Sequence, residues 1–197
     1  MLRQAPPPSL RSLFRTVDTN NYAVEFSPFR DGLLAVASSQ YFGIVGNGKQ
    51  LVLQLDGAGG MRVLRSFDTQ DGLFDCAWNE SNEHQLASAS GDGSLKLWDL
   101  NSRDGFPVGN WKEHAQECAS VDWNLVAKHS MVTASWDRTC KLWDPMAPRS
   151  IRTFAEHAGP VYNAQWNPRV PVQFVSCSGD GTVKVYCFST GFFNRKE

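Results

Sequence analysis

The chain has 197 residues, 42% of them hydrophobic, and a formal net charge of −1. That length and apolar content can fill a sizeable core, while a charge so near zero offers no global field for nucleic acid or an anionic membrane. No apolar run approaches the roughly 18–20 residues of a membrane-spanning helix, so no direct membrane insertion is expected.

Five cysteines (Cys76, Cys118, Cys140, Cys177, Cys187) make an odd set without CxxC spacing. They fit buried, reduced thiols of a cytosolic protein better than disulfides or zinc ligands, and no metal or cofactor is expected.

In chain order, residues 1–18 read MLRQAPPPSLRSLFRTVD, with Arg3, Arg11 and Arg15 ahead of the first acid, Asp18. This Arg-rich, acid-poor composition is that of a mitochondrial presequence. SLRSLFR is too short for a convincing amphipathic helix after Pro6-Pro7-Pro8, so a flexible tail is expected. Residues 19–65 form a divergent first repeat. Its Phe26-Ser27-Pro28 stands where later copies have Trp78-Asn79 and Trp166-Asn167-Pro168, and LLAVAS parallels QLASAS. An insertion of about nine residues, QYFGIVGNGKQ, then precedes LVLQLD, with Leu55-Asp56 in place of Trp-Asp. Gly43, Gly46 and Gly48 do not read as a phosphate cradle, because no helix-forming stretch or Lys-Ser/Thr follows them.

Met61 to Phe67 reads as an outer strand. The second repeat, residues 66–111, contains LASAS and LKLWD around a Gly91-Asp92-Gly93 hairpin turn. In the third, 112–154, the alternating runs VTAS and CKLW read as short half-buried strands joined by a two-residue turn, Asp137-Arg138. The fourth, 155–188, repeats the pattern, and residues 189–197 (STGFFNRKE) carry no further copy. Trp78, Trp123 and Trp166 are 45 and 43 residues apart, as are Asp92, Asp137 and Asp180, and Trp98, Trp143 and Tyr186. A repeat of roughly 40–45 residues ending in Trp-Asp is the signature of a β-propeller blade.

On these markers the chain resembles the WD40 family, which implies an all-β, WD40-type propeller with about four blades in an open ring. In WD-type blades a Trp, a Ser or Thr, a His and an Asp form a buried hydrogen-bonded chain. Matched to that motif, the third repeat supplies Trp143, Thr133, His114 and Asp137, and the fourth supplies Ser176, His157 and Asp180, with Tyr186 replacing the Trp. The second supplies Trp98, Ser88 and Asp92, with Thr69 standing where His would be. A buried polar network stabilises only when every member is satisfied, so the third blade is expected to be the best ordered. His114, Thr133 and Asp137 also spell a hydrolase triad, but a pattern recurring blade after blade reads as structural.

Within WD40 proteins, YAVEFSPF, the segment from SFDTQDGLFDCAWN to SLKLWD, KEHAQECASVDWN and SWDRTCKLWDP resemble the receptors for the type-2 peroxisomal targeting signal. The resemblance implies a receptor shuttling between cytosol and peroxisome. It would bind an N-terminal peptide on matrix enzymes, with a basic residue at one end and a His or Gln near the other. It would enter with a co-receptor, the long form of the type-1 signal receptor or an equivalent. The positions that project by motif matching toward the loop face are Tyr22, Asp71, Phe74, Glu117, Trp136 and Tyr162. Asp71 and Glu117 could meet a basic side chain, and the aromatics give large contact area at low entropic cost. Against this, acids at loop ends can be merely solvated and Phe74 can pack between blades.

Family members are substantially longer. A four-blade arc with seven-blade wedge angles cannot close, so both end blades are expected to expose apolar faces, STGFFNRKE being a poor cap. A truncated product with an incomplete groove and weak or absent binding is the resulting expectation. The alternative is a generic WD40 scaffold subunit of a multiprotein complex. An enzyme ranks last, as there is no G-x-S-x-G, HExxH or P-loop, and His84 and His129 lie in polar loop contexts.

Overall fold

The computed structural model describes residues 12–43 and 45–189. The Arg3 and Pro6–Pro8 stretch and residues 190–197 lie outside the described residues, as does Ile44.

Fifteen strands in the described residues form four antiparallel sheets, each a meander in chain order. The first holds β1 (Asn20–Phe26), β2 (Leu33–Ser39), β3 (Gly48–Leu55) and β4 (Met61–Thr69). The second holds β5 (Leu73–Trp78), β6 (Gln85–Ser90), β7 (Ser94–Asp99) and β8 (Gly109–Lys112). The third holds β9 (Cys118–Trp123), β10 (Met131–Ser135), β11 (Cys140–Trp143) and β12 (Arg152–Phe154). The last has three strands, β13 (Val161–Trp166), β14 (Gln173–Ser178) and β15 (Val183–Cys187). The sole helical element among the described residues is the short 3-10 turn Tyr41–Gly43.

The second strand of each sheet explains the stacking. LLAVASS in β2 and MVTAS in β10 are buried at every position, so both faces are covered. Their alanines and serines let neighbouring sheets approach face to face at roughly the 10 Å typical of packed sheets. Larger side chains fill the space farther from the axis. Leu33, Ala35, Val52 and Phe67 of the first sheet meet Leu86, Trp98 and Trp78 of the second. Three aromatic pairs repeat this contact from one sheet to the next. Phe67 stacks on Trp98 at 4.9 Å, Trp111 lies against Trp143 at 6.2 Å, and Phe154 meets Tyr186 edge-on at 5.0 Å.

Strand register revises two local readings. Leu34 pairs with Leu53 as Leu86 pairs with Trp98, so Leu53-Gln54, not Leu55-Asp56, holds the Trp-Asp position of the first sheet. Val36 and Leu53 are then 17 residues apart where Ser88 and Trp98 are 10 apart, which makes the insertion seven residues, not nine. The GKQ counted into it begins β3. The hairpin at Asp137-Arg138 is likewise a three-residue connection, Trp136 to Arg138, closed by Ser135 N–H donating to Thr139 O at 3.0 Å. Arg138 is left-handed (φ 75°), where the equivalent Gly93 and Gly181 have φ 82° and 79°. A left-handed third residue matches the loop to the twist of the flanking strands.

The hydrogen-bonded chain of the third sheet runs in one direction. The Trp143 indole N–H donates to Thr133 Oγ1 at 2.8 Å, and Thr133 Oγ1 lies 2.8 Å from His114 Nε2. His114 Nδ1 lies 2.9 Å from Asp137 Oδ2, and because a carboxylate only accepts, Nδ1 carries the proton. Asp137 also accepts from the Ala115 and Thr139 backbone N–H groups. In the fourth sheet His157 bridges Ser176 (2.7 Å) and Asp180 (2.9 Å), while the buried Tyr186 hydroxyl has no hydrogen-bond partner among the described residues.

In the second sheet Thr69 does not take the histidine's place. Its hydroxyl donates to the Asp71 carbonyl at 2.7 Å. The Trp98 indole donates to Ser88 Oγ, and Ser88 donates to Gln50 Oε1, both at 2.7 Å. Gln50 comes from β3 of the preceding sheet and is fully buried. Asp92 instead pairs with Lys96 at 3.2 Å and accepts from Ser94. Replacing Gln50 by Ala strands the Ser88 hydroxyl and opens a cavity, so a loss of about 2 kcal/mol is expected in a denaturant titration. An unchanged midpoint would place the end of this chain elsewhere.

The two end sheets differ. Leu34, Val36, Leu51 and Leu53 on the far face of the first are covered by Phe14, Leu55 and Met61, and Ser12 Oγ donates to the Gly59 carbonyl at 2.6 Å. The fourth exposes Val183 (72%) and Val185 (59%). Apolar exposure is found at both ends, as expected from an open arc: β1 of the first sheet exposes Val24 (66%) and Phe26 (63%), and chain preceding β1 covers only the leucine face of β2 and β3.

Candidate peptide-binding site

The first strands of all four sheets, β1, β5, β9 and β13, run side by side, and their leading ends carry equivalent residues. Tyr22, Phe74, Ala119 and Tyr162 each lie four residues before the apolar marker Phe26, Trp78, Trp123 or Trp166. All four line one cavity of about 470 Å³, together with Phe42, Gly43, Glu117 and Trp136. Five of the six residues singled out from sequence thus converge. Asp71 does not. It is exposed outside this lining, and its carbonyl serves as the acceptor for Thr69.

Phe74 forms the centre of the aromatic wall, edge-on to Tyr22 at 5.3 Å and stacked with Trp136 at 6.1 Å. Trp136 occupies the hairpin position held by glycine in the neighbouring sheets, Gly91 and Gly179. In each case the backbone N–H at this position donates to the loop that enters the first strand. For Trp136 the acceptor is the Glu117 carbonyl at 3.1 Å. The His114–Asp137 link lies just behind, so one buried network holds both the Glu117 loop and the Trp136 hairpin. Glu117 is half-buried at the cavity edge and is the sole ionisable carboxylate in the lining.

Sequence reading missed Phe42, Gly43 and Ala119. The offset of 45 residues from Phe74 would have found Ala119, whose small side chain leaves the space that the other three aromatics border. Phe42 and Gly43 sit in the insertion, which no repeat could align. Tyr41 (φ 46°) and Phe42 (φ 57°) are both left-handed, a conformation costing of the order of 1–2 kcal/mol per non-glycine residue. Gly43 follows at φ 74°, and a Cβ there would run into the Phe74 ring.

Deeper along the same strands, Glu25, Asp75 and Asp122 border a second cavity of about 220 Å³. Each accepts from the backbone of the next sheet. Trp78 N–H donates to Glu25 at 2.8 Å, Val121 N–H to Asp75 at 3.0 Å, and Trp166 N–H to Asp122 at 2.6 Å. Burial pushes the Glu25 carboxyl up to about 7 and those of Asp75 and Asp122 up to about 6, the neighbouring carboxylates adding to the effect. The thiols are inert for a related reason: Cys76, Cys118 and Cys140 are buried, and desolvation raises the Cys140 thiol to about 12. Cys177 is half-buried and Cys187 exposed, so the expectation of burial holds for three of the five. No group of acidic, His or Cys side chains among the described residues is arranged to hold a metal ion.

Repeated antiparallel sheets of three or four strands stacked about a common axis, with an aromatic cavity at one end of it, define a propeller-type protein. The chain belongs to the WD40 family, described as WD domain, G-beta repeat, whose pattern matches residues 61–99, 105–144 and 148–187. It is 47% identical over 165 residues to the human protein named peroxisomal targeting signal 2 receptor, covering 83% of this chain and 50% of that one. The protein of the same name from Saccharomyces cerevisiae is 36% identical over 194 residues, covering 85% and 52%. Peroxisome biogenesis protein 7 of Arabidopsis thaliana is 46% identical over 105 residues, covering 52% and 33%. The chain spans about half the length of the human and yeast relatives.

Proposed function

We propose that this chain carries the signal-reading face of a receptor for the type-2 peroxisomal targeting signal. The carrying observation is the aromatic cavity at the loop end of β1, β5, β9 and β13, with Glu117 as its one carboxylate. Such a site suits an apolar side chain flanked by a basic one. The aromatics desolvate the contact, and the carboxylate makes a charge-assisted hydrogen bond that a neutral or acidic side chain cannot replace. The similarity to proteins named for this signal supports the same reading. Cargo would be matrix proteins bearing the signal. A co-receptor, the long form of the type-1 signal receptor or an equivalent, would accompany the protein as it shuttles between cytosol and peroxisome. The chain acts here as a receptor, with no chemistry of its own.

The test is a titration of the 197-residue chain, up to millimolar concentrations, with a fluorescent type-2 signal peptide and a charge-reversed control. Weak, saturable binding of the first alone is expected, with the Trp136 indole signal shifting in NMR spectra. Glu117→Lys should weaken binding at least 30-fold, since breaking one partner of a partly desolvated pair commonly costs about 2–5 kcal/mol, and should leave the melting midpoint nearly unchanged. Equal binding of both peptides would instead identify a general WD40 scaffold. An unmoved Trp136, or a Glu117→Lys chain that binds as before, would overturn the site.

A further inference from the structure

The Tyr41–Phe42–Gly43 turn has a second cavity on its outer side, of about 420 Å³, bordered by Asp18, Asn20, Gln40, Tyr41 and Phe42. Phe42 lines both this space and the aromatic cavity at the axis. The two differ in character. The inner one is walled by rings and carries Glu117, while the outer one is bounded by polar side chains and by Asp18, the sole charged residue in its lining. Lys49, which borders the adjoining cavity, is held by Asp68 at 2.5 Å.

The turn is built in a way that core packing does not require. Tyr41 and Phe42 are 68% and 72% exposed, so burial does not offset the left-handed conformation of either. Only a glycine at position 43 can follow them so closely against Phe74. Exposed aromatic rings held in an unfavourable backbone conformation next to a binding cavity point to a contact made with a ligand rather than within the fold.

We propose that this turn is a specificity-determining element of the peptide site. Phe42 is the partition between two subsites, and the outer one takes a second basic side chain of the same peptide at Asp18. This rests on the reading of the inner cavity as the signal site. A ligand crossing Phe42 covers the exposed ring with its apolar part and sets cations on either side of it, one at Glu117 and one at Asp18. Gly43 is a positioning residue, since it seats the turn against Phe74 without touching the ligand.

A lysine scan of the type-2 signal peptide tests this, with binding measured for the unmodified chain and for Asp18→Lys, Phe42→Ala and Gly43→Ala. At least one lysine position should tighten binding threefold or more in the unmodified chain and weaken it in Asp18→Lys. Phe42→Ala should weaken every peptide about tenfold. Both side chains are exposed, so neither change should move the melting midpoint, which separates loss of contact from loss of fold. Gly43→Ala should weaken binding as Phe42→Ala does. The inference is overturned if the unmodified chain binds the peptide but no lysine position responds to residue 18, or if Phe42→Ala changes affinity less than twofold. If the unmodified chain binds no signal peptide, the proposed function itself fails.

Discussion

Asp137→Ala is expected to destabilise the protein by about 3 kcal/mol, at the upper end of what a stranded buried polar group costs. The His114 side chain is fully buried, and removing the carboxylate leaves its Nδ1–H with only the longer contact to Thr139 Oγ1 at 3.2 Å. Burial alone would raise the Asp137 carboxyl. The hydrogen bonds from His114, Thr139 and Ala115 outweigh it and hold the group well below the usual carboxylate range. The folded state therefore favours the charged form, and that stability persists until strongly acidic pH. Asp92→Ala should cost only about 1 kcal/mol, because Lys96 keeps its contact with Ser94 and its flexible stem can carry the ammonium to water. Equal shifts in a thermal melt of the two variants would contradict this ranking. Because the same network holds the Glu117 loop and the Trp136 hairpin, Asp137→Ala should also weaken peptide binding at temperatures where the chain is still folded.

Stability is expected to fall as the solution is taken from pH 4.5 to pH 8, opposite to the usual behaviour of carboxylates in ion pairs. Glu25, Asp75 and Asp122 each hold protons more tightly folded than unfolded, since burial raises them from 4.5 or 3.8 to about 7, 6 and 6. Their contribution is complete below the unfolded values near 4 and is lost as pH rises through 6 to 7. One such group is worth on the order of 3 kcal/mol at full titration. The three interact, so the whole shift should be less than three independent titrations, roughly 3–5 kcal/mol. The physical cause lies between sheets: three carboxylates face one axis, each tied to a backbone N–H of the next sheet, stripped of water by burial and repelled by neighbouring carboxylates. Glu25→Gln keeps an acceptor for Trp78 but removes a charge, and should flatten the profile between pH 5 and 8. A midpoint that rises with pH across this range would show that water or ions solvate the carboxylates.

Much of the site was legible before the fold because the repeat is regular. The interval of 43–45 residues aligns Phe74, Ala119 and Tyr162, and a propeller brings equivalent positions of successive blades to one end of one axis. Asp71 shows where that reasoning stops. A loop acid two or three residues before a strand can point inward or outward, and the chain around Thr69 turns this one outward.

The sequence alone determined the blades, their order and the residues of the third-sheet network, because strand alternation, hairpin turns and the Trp-Asp ends are local and repeated. What depended on neighbouring sheets was decided only by the tertiary structure. Gln50 replaces a histidine across a sheet boundary, Phe14 covers a face that the repeat leaves apolar, and Phe42 joins the cavity from an insertion with no counterpart. Glu25, Asp75 and Asp122 are separated along the chain, and no motif or spacing marks them out. Packing the first strands around one axis strips them of water, and that desolvation gives them a role no local pattern encodes.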